Sequence, residues 1–233
     1  MAHERLPRGL AGDVLDHAAR TTPREAARAL QEGLNRLAGA AGFGEAAPAF
    51  ADGSSKRVAE DGWIGPETLA ATEKHAAESG LGRVREGVAL AAFRRGLDAL
   101  AGGGAGPGEA PAIFRRSIGR LYRDPDTAAA PPGFSPRHGE VAALQESLND
   151  ANRVFAFASE PLAVDGDLGP KTSAALAAAA RAAGSERLAD HVGRRLGIGE
   201  RDLLNDPARG FARALEDDDD AGAWGEPAPR AFA

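Results

Sequence analysis

The chain has no cysteine among its 233 residues. That removes disulfide frameworks, thiol nucleophiles and cysteine-ligated zinc, and it leaves the redox compartment open. Aromatic residues are scarce, at 5% against 43% hydrophobic overall, and alanine supplies much of the apolar count. A core of that composition is built by closely approaching helices with small side chains, so the expected fold class is all-α. A basic stripe with interleaved aromatics is also missing. The 28 Lys+Arg and 34 Asp+Glu give a formal charge of -6, and the run Glu216, Asp217, Asp218, Asp219, Asp220 accounts for most of it. The rest is nearly neutral, which gives nucleic acid no electrostatic footprint to bind. No apolar run approaches the 18 or so residues of a membrane span, Ala174 to Ala180 being short and weakly apolar. Residues 1–12 place Arg5 and Arg8 around Leu6 and Pro7 without a secretory apolar run, so the chain is expected to be cytoplasmic on synthesis.

Catalytic and metal-binding signatures are equally thin. His3, His17, His75, His138 and His191 are scattered without zinc spacing, and Asp165-Gly166-Asp167 lacks the further oxygen ligands of a calcium loop. The glycine-rich stretch at 102–108 has no following Lys-Ser/Thr to make a phosphate cradle, and no nucleophile elbow is present. Glu25, Glu32 and Glu140 are read as exposed residues near helix starts, engaged in capping and dipole pairing. No catalytic residue, metal or cofactor is therefore assigned, and the chain is expected not to be an enzyme.

What the sequence does have is an internal repeat. Ala29-Leu30-Gln31-Glu32-Gly33-Leu34-Asn35 returns as Ala143-Leu144-Gln145-Glu146-Ser147-Leu148-Asn149, with six of seven positions identical. Downstream, Asp61-Gly62-Trp63-Ile64-Gly65-Pro66-Glu67-Thr68-Leu69-Ala70-Ala71 returns as Asp165-Gly166-Asp167-Leu168-Gly169-Pro170-Lys171-Thr172-Ser173-Ala174-Ala175, with seven of eleven identical. Two blocks in the same order mark a duplication. Gln145 follows Gln31 by 114 residues whereas Gly166 follows Gly62 by 104, so the first copy carries ten extra residues, within 39–56, read as an enlarged surface loop. The 104-residue offset continues through Gly80/Gly184, Arg83/Arg187, Val84/Leu188 and Val88/Val192, so a further helix follows in each copy.

Local signals fix several helix starts. Thr22-Pro23-Arg24-Glu25 reads as a capping box with proline at the first helical position, leading a stripe of Ala26, Leu30, Leu34 and Leu37. Gly65-Pro66 opens the next helix, with Leu69, Thr72, Glu73 and Ala76 running along it, and Ser135-Pro136 opens the first helix of copy two. Residues 84–100 and 113–122 add two helices, the second with Phe114, Ile118, Leu121 and Tyr122 on one face. Pro125, Pro131, Pro132 and Gly133 place a linker at 124–134. The expected organisation is a first domain at 9–123, the linker, a second domain at 135–215 and a disordered acidic tail at 216–233.

The pairing of Leu-Gln-x-x-Leu-Asn with a downstream Asp-Gly-x-Ile/Leu-Gly-Pro-x-Thr resembles the peptidoglycan-binding-domain family, small helical modules found on cell-wall hydrolases. In copy one, Val14-Leu15-Asp16-His17-Ala18-Ala19 and Ile113-Phe114-Arg115-Arg116-Ser117-Ile118-Gly119-Arg120 extend the resemblance to the predicted peptidoglycan domain that ends phage-type muramidases. The Glu-Gly-Gly motif of the muramidase catalytic region is absent, and Arg116-Ser117-Ile118 stands where that family's domain has a tryptophan-containing end. The resemblance implies two small helical bundles in tandem that hold wall glycan without cutting it.

On this reading the candidate ligand-binding residues are Gln31, Asn35, Asp61 and Trp63 in copy one and Gln145, Asn149, Asp165 and Asp167 in copy two. The amides offer paired donors and acceptors to a sugar or stem peptide, and Trp63 offers a face for a pyranose ring. The alternative for the amides is that they hold the loop arriving at Asp61 or Asp165, and for the aspartates that they make Asp-Gly turns. The expected partner is peptidoglycan or another cell-surface polysaccharide, with no nucleic acid and no membrane. A chain made without a leader is expected to reach the wall as an attachment component, spike or tail, of a phage-like particle, alongside that particle's other subunits. A structural scaffold of such a particle, without sugar affinity, is the alternative function.

Overall fold

The computed structural model describes residues 5–39, 49–119 and 136–198. Among them every regular element is helical, apart from one isolated bridge between Ala49 and Ser55. The elements are α1 (Arg8–Ala18), α2 (Pro23–Leu37), α3 (Pro66–Ser79), α4 (Leu81–Ala101), α5 (Ala110–Arg116), α6 (Pro136–Phe155), α7 (Pro170–Ala183) and α8 (Ser185–Arg195), with a 3-10 turn at Pro107–Glu109 before α5. None of them is long and apolar enough to cross a membrane. The expected linker at 124–134 and acidic tail at 216–233 lie outside the described residues.

The punctuation residues produce the same geometry twice. Gly65 and Gly169 are extended N-caps, each followed by proline at the first helical position, where the missing N–H costs no hydrogen bond. Gly80 ends α3 and starts α4 with φ +86°, and Gly184 does the same between α7 and α8 with φ +80°. Such values suit glycine, which has no Cβ to clash. At the head of α2 the Glu25 amide donates to Thr22 Oγ1 at 3.1 Å, while the Glu25 carboxylate turns to Arg28 at 2.8 Å.

Two apolar clusters result. The first joins Leu10 and Val14 of α1, Ala26, Leu30 and Leu34 of α2, Ile64, Leu69 of α3, and Val84 and Val88 of α4. The second gathers Val141, Leu144 and Leu148 of α6, Leu176 of α7, and Leu188 and Val192 of α8, but it is not closed by the second copy alone. Leu90, Phe93, Leu97 and Leu100 of α4, and Phe114 of α5, complete it. Phe93 and Phe114 meet edge to face, with centroids 6.2 Å apart at 72°. Full burial of each such side chain contributes roughly 1.5–3 kcal/mol. Helix α4 thus serves both cores, and the described residues fall within one compact unit.

Close approach of backbones makes this sharing feasible. A Cβ on Gly33 of α2 would lie 2.6 Å from the Val88 nitrogen of α4, and one on Gly87 would lie 2.8 Å from the Gly33 oxygen. Farther along α4, Leu90 fills the space over Gly193 of α8, where a Cβ would come within 2.5 Å of Leu90 Cδ2.

Three details depart from the sequence expectations. Glu32 is not an exposed capping residue: it is 5% exposed and accepts two hydrogen bonds from Arg94, at 2.5 and 2.6 Å, with the Arg95 guanidinium at 3.5 Å. Its neighbour Arg36 pairs with Asp190 of α8, which ties α2 to the second copy. The helix expected at 113–122 starts earlier, at Ala110, and ends at Arg116, where both the backbone amide and the hydroxyl of Ser117 donate to the Ile113 carbonyl, at 3.2 and 2.6 Å. Leu121 and Tyr122 lie outside the described residues. On α3, Glu73 is exposed, and His75 is buried along with Thr68 and Thr72.

His75 explains part of the loop enlargement. Phe50 packs edge to face on the His75 ring at 4.9 Å, flanked by the ammonium groups of Lys56 and Lys74 at 5.4 and 5.3 Å from its centroid. Lys74 also binds Asp52 at 2.5 Å and Ser54 at 2.6 Å, and His75 Nε2 lies 3.0 Å from the Lys56 carbonyl. The 104-residue offset puts Ala178 and Ala179 at the places of Lys74 and His75 in copy two, which has no insertion to hold.

Candidate functional site

The repeated polar residues converge on the loop that leads into α3 or α7. Gln31, one residue after core Leu30, turns its amide into the Asp61-Gly62-Trp63 segment. Its Nε2 donates to Asp61 Oδ1 at 2.7 Å, the Trp63 carbonyl at 3.0 Å and Thr68 Oγ1 at 3.3 Å, and its Oε1 accepts from the Gly62 amide at 2.8 Å. Gln145 repeats the set with Asp165 Oδ1 at 2.7 Å, the Asp167 carbonyl at 3.0 Å, Thr172 Oγ1 at 3.2 Å and the Gly166 amide at 2.9 Å. Both glutamines are 1% exposed. Their amide hydrogens are thus used within the chain.

Asn35 and Asn149, one turn on, make a two-way clasp with the segment leading into the same loop. Asn35 Nδ2 donates to the Val58 carbonyl at 2.9 Å and its Oδ1 accepts from the Val58 amide at 2.8 Å. Asn149 does the same with Leu162, at 3.0 and 2.7 Å. Asn35 also donates to Glu60 at 3.0 Å.

The aspartates close the turn. Asp61 Oδ1 accepts from the Trp63 amide at 2.8 Å as well as from Gln31, and Asp165 Oδ1 accepts from the Asp167 amide at 2.9 Å as well as from Gln145. The glutamine bond, and then the backbone amide, hold each carboxyl below the usual carboxylate range by favouring its charged form. Between them Gly62 and Gly166 take φ of +77° and +72°. A Cβ on Gly62 would fall 2.5 Å from Arg24 Cγ. The threonines that complete the network, Thr68 and Thr172, were visible in the Gly-Pro-x-Thr pattern as shared residues, but nothing in the pattern alone gave them this role.

Trp63 differs from all of these. Its backbone is held at both ends, yet its side chain is 65% exposed. The indole stands over Gly65, where a Cβ would come within 3.1 Å of Trp63 Cδ1. It lines two open depressions. One, of about 280 Å³, is lined by Val58, Ala59, Asp61, Pro66 and Glu67, and the other, of about 390 Å³, by Pro23, Arg24, Asp61 and Gly62. Both are shallow and open to solvent rather than enclosed. Asp167, the counterpart of Trp63, is exposed as well.

Among the described residues no group of three or more His, Asp or Glu is placed to hold a metal ion. No family model, no curated protein and no solved structure matches this chain.

Proposed function

We propose that this chain is a non-catalytic binding module for peptidoglycan or a related cell-envelope glycan, and that Trp63 is the surface on which a sugar ring stacks. The observation that carries the reading is the exposed indole on a pinned backbone. Copy two builds the same loop with the same hydrogen bonds around Asp167, so the fold does not require an aromatic side chain there. An exposed tryptophan that packing does not demand, lining two open depressions, suits a ligand that has one apolar face and a polar rim. Arg24 lines one depression and Glu67 the other, and each supplies a polar group. The doubled peptidoglycan-binding-like motif supports the choice of wall glycan among such ligands.

The full chain should co-sediment with purified peptidoglycan sacculi at low and moderate salt without clearing a cell-wall gel. Trp63→Ala should weaken retention by an amount typical of a tryptophan anchor, about 2 kcal/mol or roughly 30-fold. Loss of sedimentation in the wild type, or retention undiminished in the variant, would count against the proposal. The internal use of all four repeated amides favours a second reading, a scaffold that docks protein subunits and has no sugar affinity. In that case sacculi leave the chain in the supernatant.

A further inference from the structure

We infer that the chain has one glycan platform rather than two, and that the side chain two residues after the stapled aspartate decides which copy carries it. The inference rests on the glycan reading of Trp63.

The two loops are superimposable in their bonding. In each, the residue at this position donates its amide to the preceding aspartate, at 2.8 Å for Trp63 and 2.9 Å for Asp167. In each, its carbonyl accepts from the glutamine amide at 3.0 Å. A threonine hydroxyl from the first turn of the following helix donates to the same carbonyl, at 3.4 Å from Thr68 and 3.0 Å from Thr172. The side chains also occupy the same place. A Cβ added at Gly65 would meet Trp63 Cδ1 at 3.1 Å, and one added at Gly169 would meet Asp167 Oδ2 at 3.1 Å. What differs is the chemistry presented to solvent.

Trp63 presents an aromatic plane. Asp167 presents a carboxylate, which holds a hydration shell and has no face for the C–H side of a sugar ring. The neighbouring position reverses its charge as well, from Glu67 to Lys171, and the Lys171 ammonium contributes to keeping Asp165 ionised. Copy two therefore keeps the loop and replaces the stacking surface with an acidic side chain, with Lys171 where copy one has Glu67. Its apolar contribution is made elsewhere, in the core it shares with α4. The duplication gives this chain one ligand per molecule, with no avidity between its halves.

An exchange of side chains between the copies tests this on the full chain, with purified peptidoglycan sacculi as the probe. Trp63 and Asp167 are both exposed, so W63D, D167W and W63D/D167W should melt like the wild type. The wild type is expected to sediment, W63D to lose at least tenfold in retention, and W63D/D167W to recover it from the second loop. D167W alone is expected to exceed the wild type, because two linked sites raise the effective concentration. Full retention by W63D would overturn the inference together with the assignment of Trp63 as the stacking surface, while leaving the affinity of the chain for sacculi standing. Failure of W63D/D167W to recover would overturn the claim that this one side chain decides. A wild type that stays in the supernatant would overturn the glycan reading and this inference together.

Discussion

Gln31 and Asp61, thirty residues apart, are joined by a 2.7 Å hydrogen bond, and Gln145 and Asp165, only twenty apart, are joined by one of the same length. The ten-residue difference in the intervening chain leaves the junction unchanged. The loop before α3 or α7 is thus positioned by the amide on the preceding helix, and the length of chain that connects them is free to vary.

Replacing that amide should therefore damage both copies alike. In Gln31→Ala, the Gly62 amide and Asp61 carboxylate lose a buried partner, at about 1–3 kcal/mol. For a chain of this size that is a fall of roughly 2–4 °C in Tm per kcal/mol. Gln145→Ala is expected to cost a similar amount. Thermal melts of the two single variants and the double check this; a Gln31→Ala melt coincident with the wild type would show that the loop holds itself.

Acid should loosen the same loops. The carboxyls of Asp61 and Asp165 are held below their ordinary value of 3.8 by the glutamine and backbone amides. A depressed carboxyl contributes stability that is present above its unfolded value and is lost as pH falls through its folded value. The stability curve should accordingly turn down below about pH 4, and Asp61→Asn/Asp165→Asn should flatten that limb while lowering the neutral plateau. Denaturant melts across the acid range measure it, and a limb unchanged in the double variant would assign acid sensitivity to other carboxylates such as Asp52, which Lys74 and Ser54 also hold low.

Gly33→Ala should be among the more damaging small substitutions. The added methyl would meet the backbone of Val88 rather than a flexible side chain, so α2 and α4 would have to part. Overpacking of this kind costs about 1–3 kcal/mol. Matching positions in copy two are Ser147 and His191, so α6 and α8 are under no equivalent constraint there. Ser147→Ala is the control, expected to melt close to the wild type. A harmless Gly33→Ala would mean that the crossing is looser than described.

Helix starts at proline were legible in the sequence, because that residue acts on the backbone whatever surrounds it, whereas the glycines that end the same helices were visible only as repeated positions. Residues 66–79 and 170–183 are the clearest instances. The amide pairs were visible as repeated residues, but an amide bonds equally well to a sugar hydroxyl and to a loop carbonyl, and only the path of the chain shows that Gln31 and Asn35 turn inward. Glu32 looked like an exposed helix residue because its partner Arg94 is 62 residues away. Residues 84–100 were legible as a helix, but nothing in them said that Val88 and Leu90 would face different cores.

The shared helix limits how the molecule can be divided. Residues 136–198, produced without α4, would keep their turns and staples but expose a furrow where Leu90, Phe93, Leu97 and Leu100 had been. An ancestor made of a single repeat would have needed a companion to fill that furrow, a sister molecule or a helix of its own since given over to joining the halves.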